Sequence, residues 1–295
     1  MADWRPLSRR GTDPSPEEDA LYEGVPPHLV QPLLHWIDSL FEHTSWRDEF
    51  PASERRAGRI AARVRLDLRA APLGDAHAQN DTDVWCASRA LVHLAGASGD
   101  TVLLDVVDAA LAEGTRKGAA RDLEQLLTGG GSAWRVAGNR KSLERRVEPT
   151  ATDAFRQAAA GDPGSHLATA WAAVYGRYPS PSRAYSEAIK AVEAACIPVV
   201  IPDARGARAT LGKVIIDLND HQQDWRLSIC SAAAPSEISP LLAMLRLLWQ
   251  GQTDRHGGSA PASPVTAPAA EAAVHLAVTL VQWFRSGAVN RVGRP

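Results

Sequence analysis

Residues 181–196 read PSRAYSEAIKAVEAAC, and the spacing within them decides the fold class. Tyr185, Ile189, Val192 and Cys196 recur at intervals of three and four, which lines apolar side chains along one face of an α-helix. A helix with one apolar face has to bury it against neighbours, and the flanking sequence supplies them. Upstream, Leu167, Trp171, Val174 and Tyr178 share a helical face. Downstream, Thr210–Leu218 reads as a short helix, Ile238–Trp249 as a longer one and Ala269–Phe284 as a last one. That last stretch is apolar on most sides, as befits a helix surrounded by others. Gly257–Pro268, rich in Gly, Ser and Pro, is a loop leading into it.

The N-terminal half has the same texture. Its first twenty residues are rich in Arg, Asp, Ser, Pro and Glu and read as a mobile leader. Pro26-Pro27 opens a helix carrying Val30, Leu33, Leu34, Ile37, Leu40 and Phe41. Ala52–Leu68 continues in helical period, Leu73–Asn80 is a loop, and helices follow near Asp83–Ala97, Thr101–Glu113 and Lys117–Leu127. Gly129-Gly130-Gly131 stops the last of these. Ala133–Val147 differs: Trp134-Arg135-Val136 and Leu143–Val147 flank Gly138-Asn139, which predicts a two-stranded ribbon. Helical pattern returns at Thr152–Ala159, and Gly161-Asp162-Pro163-Gly164 makes a domain boundary. The expectation is a mainly α chain of two helical domains with a small β-ribbon near 133–147: leader 1–20, helical domain 21–130, ribbon and connecting helix 131–164, and helix bundle 165–295.

Composition narrows the function classes. At 295 residues the chain exceeds the usual single domain, and 45% hydrophobic content is ample for buried cores. The formal net charge of −2 advertises no global basic field, so any nucleic-acid surface is a local patch. Cys86, Cys196 and Cys230 form no CxxC pair, which argues against a disulfide framework and a structural zinc site. Neither metal nor cofactor is expected. The N-terminus lacks an apolar signal region, and the most apolar stretch, Ala272–Val281, is too short to span a bilayer. A cytoplasmic protein without a membrane partner is the expectation.

Several constellations carry possible chemistry. Gln252-Thr253-Asp254-Arg255-His256-Gly257-Gly258 sits where an amphipathic helix gives way to a glycine-rich loop. Histidine titrates near neutrality, an adjacent arginine can hold a phosphate, and paired glycines allow close approach to the backbone. A histidine just past a helix C-terminus also serves as a cap. Glu193, between Ile189 and Cys196 on the helix, falls on or beside the buried face, where a carboxylate needs a cationic or hydrogen-bonding partner; Arg255 is a candidate. Glu271 and His275 lie one turn apart, enough to begin a metal site without an evident third ligand. His221 near Trp225 reads as a loop position. Arg55, Arg59 and Arg63 form the densest basic stripe, and Arg135, Arg140, Lys141, Arg145 and Arg146 a second on the ribbon; either could track phosphates. Gly-rich phosphate loops, GxSxG elbows and HExxH pairs are absent from the sequence.

The order of motifs adds a resemblance. His166-Leu167-x-x-Ala170 precedes Pro181-x-x-Ala184-Tyr185-x-x-Ala188-Ile189-Lys190-Ala191-Val192-Glu193. Thr210-Leu211-Gly212-Lys213, Leu248-Trp249 and Asp254-Arg255-His256-Gly257 follow. This series resembles the C-terminal region of AbiJ-type abortive-infection proteins, in the HEPN superfamily of helical domains, over about Ala133 to Gly287. The resemblance implies an RNA-directed antiviral effector, a metal-independent ribonuclease acting as a homodimer through the C-terminal bundle. It implies His256 as acid–base residue, Arg255 as phosphate-facing cation and Glu193 as the residue positioning them, with Asp254, Gln252, Lys190 and Arg246 in contact with substrate. Catalytic members place an Arg before the His with four to six residues between them; here Trp249, Gln250 and Gly251 stand at that spacing, and Arg246 lies further back. That departure keeps a second expectation open, a non-catalytic module binding RNA, a nucleotide or a partner protein.

Overall fold

The structure, a computed structural model, describes residues 21–41, 46–71, 86–160, 164–202, 209–231, 234–251 and 264–292. These are mainly helical, with two small antiparallel sheets. The chain divides into two compact units, Met1–Arg146 and Val147–Pro295, each with its own apolar core. The ribbon thus belongs with the first unit and the helix after it with the second. No helix among the described residues is long and apolar enough to cross a membrane.

The first unit contains α1 (Pro27–Ser39), α2 (Trp46–Val64), α3 (Ala87–Ala97), α4 (Asp100–Ala112) and α5 (Ala119–Gly129), followed by β1 (Trp134–Val136) and β2 (Leu143–Arg145). Leu29, Leu33, Trp36 and Ile37 form the buried stripe of α1, and the Trp36 indole donates to the Ala119 carbonyl at the start of α5, 2.9 Å away. Trp134 pairs with Arg145 and Val136 with Leu143 across the ribbon. Two carboxylates staple it to the helices: Asp108 of α4 accepts from Leu143 N at 2.6 Å, and Glu124 of α5 from Val136 N at 2.7 Å. Backbone donors that a two-stranded ribbon would otherwise leave to water are thereby satisfied by α4 and α5.

The second unit contains α6 (Pro149–Ala158), α7 (Gly164–Tyr175), α8 (Pro181–Val200), α9 (Leu211–Asp220), α10 (Ser239–Gln250) and α11 (Ala267–Arg285). Its most extensive packing joins α8 to α7 and α11. Ala188, Ala191 and Ala195 alternate with Ile189, Val192 and Cys196 on the buried side of α8, and small residues at such positions allow close helix approach. On α11, Ala270, Ala273, Val274, Ala277, Val278, Leu280, Val281 and Phe284 are all buried. Burial pushes the Cys196 thiol up and keeps it protonated.

A sheet that the sequence reading did not anticipate closes this unit. β3 (Trp225–Ser231) lies between β4 (Ala234–Ser236) and β5 (Val289–Arg291). Gly287, at φ +71°, turns the chain off α11, and Val289 then pairs with Leu227 while Arg291 pairs with Trp225. The Arg291 guanidinium stands 5.5 Å from the centre of the Trp225 ring. Tyr178 also departs from expectation: α7 ends at Tyr175, and Tyr178 is exposed.

Candidate functional site

Glu193 leaves α8 half-buried and reaches the first turn of α9, where its Oε1 accepts from Leu211 N at 2.7 Å. Thr210, the residue before that helix, makes no side-chain cap hydrogen bond. The first N–H groups of a helix have no partner within it, so Glu193 supplies from a neighbouring helix the acceptor that a cap would give. Its negative charge also faces the positive end of the α9 dipole. At the next position Gly212 receives the Trp249 indole of α10; a Cβ there would lie 2.8 Å from the ring. Tyr185 of α8 donates to the Leu248 carbonyl at 3.1 Å, and its hydroxyl also sits against Gly251. The start of α9 and the end of α10 are therefore both pinned to α8.

Glu193→Ala should strip the cap from Leu211 N and cost about 1–2 kcal/mol. Glu193→Gln keeps a carbonyl acceptor and should lose less than half of that, read from denaturant unfolding. An equal loss in both variants would show that the charge, and not the acceptor, matters.

The other described candidates are engaged elsewhere. Lys190 donates to Glu187 at 2.7 Å, and His166 Nδ1 lies 2.7 Å from the other Glu187 oxygen. Desolvation pushes the Glu187 carboxyl up, but Lys190 and His166 together outweigh it and hold it below the usual carboxylate value. Arg246 donates to Asn219 Oδ1 at 2.6 Å. Leu211 and Asn219 are eight residues apart on α9, roughly 12 Å at a rise of about 1.5 Å per residue. Glu193 and Arg246 thus attach to opposite ends of α9. Gln252, Asp254, Arg255 and His256 lie outside the described residues.

A constellation centred on Tyr175 lies in the same unit. Its hydroxyl donates to Glu271 Oε1 at 3.0 Å and lies 2.7 Å from His275 Nε2. With its proton directed to Glu271, the hydroxyl accepts from the Nε2–H tautomer of His275. The edge of Trp171 approaches His275, and Phe155 stacks on Trp171 at 4.3 Å. The one-turn spacing of Glu271 and His275 was visible in the sequence; the tyrosine joining them comes from another helix and had no local signal. Among the described residues no group of three His, Cys, Asp or Glu side chains is arranged to hold a metal ion.

In the first unit the arginine stripe is partly occupied. Arg59 and Arg63 each place Nε 2.7 Å from a different oxygen of Glu113, at the end of α4, and Arg56 donates to the Gly114 carbonyl. These contacts join α2 to α4. Hydrogen bonds from Arg59 and Arg63 hold the Glu113 carboxyl below its ordinary value. A depressed carboxylate stabilises the fold above the unfolded value of about 4.3 and loses that contribution as pH falls through the folded value. Glu113→Gln should therefore be less stable than the parent at neutral pH, and the gap should close below about pH 4. A gap of constant size from neutral to acid would refute the ion pair's role. On the ribbon, Arg135 pairs with Glu144, Arg145 with Glu23 and Arg146 with Glu124.

The chain matches no protein-family profile, no curated protein and no solved structure.

Proposed function

We propose that the second unit is a HEPN-like helix bundle directed at RNA, working in the cytoplasm as an effector of antiviral defence. In this reading His256 takes the proton from a ribose 2′-hydroxyl as the 2′-oxygen bonds to phosphorus. The bond from phosphorus to the 5′-oxygen breaks, and the histidine returns the proton to that leaving oxygen. Arg255 faces the phosphate and offsets its growing charge, with Asp254 and Gln252 alongside. Glu193 is a positioning residue, acting through the α9 terminus that it caps.

The observation that supports the reading is the joint at Leu211, Gly212 and Gly251. It fixes both ends of the helical frame from which the chain enters the Asp254-Arg255-His256 segment. A site for proton transfer needs its residues held by rigid elements, and α10 is held in that way. Homodimerisation through this bundle is part of the reading. Ile216 on α9 and Leu247 on α10 are large apolar side chains left exposed on two helices that pack together.

A second reading, a non-catalytic RNA-binding module, is favoured by one specific feature. Glu193 spends an oxygen on Leu211 N, and Arg246 directs one guanidinium donor to Asn219, so both are drawn toward α9 rather than aimed at a reacting phosphate. RNA cleavage by the full chain in EDTA, compared between wild type and His256→Ala, separates the two. Cleavage by wild type alone supports the nuclease. RNA retained on a filter without cleavage by either protein supports the binding module.

A further inference from the structure

In the first unit a cleft of about 740 Å³ opens between the α4–α5 turn and the turn of the ribbon. Arg116, Lys117 and Arg121 line one wall, Arg140 and Lys141 the other, above apolar residues contributed by α4, α5 and β1. Glu124 is the one carboxylate among the described lining residues, and it is already committed to Arg146 and to Val136 N. Among the described residues none of the five cations forms an ion pair; Arg116 donates to the Ser39 hydroxyl at 3.3 Å. Five like charges facing one space repel each other, and that arrangement favours an anion placed among them.

The backbone adds an independent sign. Arg140 has φ +58°, in the left-handed region, although Gly138 and Asn139, which tolerate such angles better, immediately precede it. Its N–H donates to the Ala137 carbonyl, and Lys141 N donates to Asn139 Oδ1, which sets the turn that presents both cations to the cleft. Opposite, Gly118 at φ +96° lets the chain turn sharply into α5 directly after Arg116 and Lys117.

We propose that this cleft binds clustered phosphates. Among the described residues no aromatic side chain lines it, so these offer charge and donors without a surface for stacking a base. Forked guanidiniums on both walls suit two or more phosphate groups bridged across the gap. The phosphates come either from a free polyphosphate or from the backbone of RNA. The site lies wholly within the Met1–Arg146 unit and stands apart from the reading of the second unit.

The test is calorimetric titration of the full chain with inorganic tripolyphosphate. Binding is expected to weaken as salt rises from about 50 to about 200 mM. It should fall roughly tenfold or more in Arg121→Gln/Arg140→Asn, a loss typical of charge-assisted contacts. Arg156→Gln, in the other unit, should leave it unchanged. Arg140→Asn alone should melt no lower than wild type, since asparagine accepts the left-handed angle more readily, so lost binding is distinguishable from lost folding. Displacement of tripolyphosphate by a short single-stranded oligoribonucleotide would assign the phosphates to RNA, and failure to displace it would assign them to a free polyphosphate. Absent tripolyphosphate binding, or binding equal in wild type and the double variant, overturns the proposal.

Discussion

Leu280→Ala should destabilise the second unit by about 2–5 kcal/mol and leave the first unit's unfolding in place. Leu280 is fully buried on α11, which packs on α6, α7, α8 and α10, so the surrounding helices are held on several sides and cannot readily collapse into the vacated volume. The loss is then the transfer free energy of the deleted carbons with a further cost for the residual cavity. For a domain of this size each kcal/mol moves the midpoint by about 2–4 °C, so calorimetry should show one transition falling by roughly 4–20 °C. Leu33→Ala, fully buried in the other core, should lower the other transition. If either substitution moves both transitions equally, the chain has one cooperative core and the division at Arg146 has no energetic meaning.

His256→Ala should reduce RNA cleavage by about 10²–10⁴-fold, the usual contribution of a positioned general acid–base. In the proposed nuclease reading, truncation would remove the group that accepts the 2′-hydroxyl proton and donates to the leaving oxygen, and water would not replace it at comparable rate. In that reading the pH–rate profile carries the same information: a single imidazole that must start as the free base gives a rate that rises with pH through one limb, and His256→Ala should abolish that limb. Arg255→Lys should retain RNA binding better than cleavage, because lysine keeps the charge and loses the forked geometry. Cleavage unchanged in His256→Ala would remove the acid–base assignment altogether.

The helices were legible because each buries one face, and burial of a face writes its period into the sequence. α8 and α11 are the clearest cases. Their boundaries were less so: α2, read from Ala52, begins at Trp46 and runs through Pro51, just as α1, opening at Pro27 as read, runs through Pro32. A proline in the second turn removes one backbone hydrogen bond near a helix end that already lacks several, so it need not mark a boundary. The β3–β5 sheet was missed for another reason. Trp225 and Leu227 alternate in the sequence, but β5 is three residues long and its partner lies some sixty positions upstream, so no local pattern announces the pair. At the candidate site, the position of Glu193 beside the buried face was readable, whereas its partner is a backbone N–H, which leaves no mark on residue identity. The phosphate cleft was half visible. Arg140 and Lys141 stood out on the ribbon, but Arg116, Lys117 and Arg121 joined them only when Asp108 and Glu124 docked the ribbon onto α4 and α5.

The clasp of α11 on α8, with β5 returning to β3, also sets a schedule for the nascent chain. α8 ends at Val200 and α11 at Arg285, so at about 5–20 residues per second roughly 4–17 s of translation separates them. Throughout that interval the first unit has all of its own core to fold with, while Ile189, Val192 and their neighbours wait without the helix that covers them. Slow codons placed between Val200 and Ala267 would lengthen this exposure and raise the demand for chaperones, and the same codons placed before Pro181 would not.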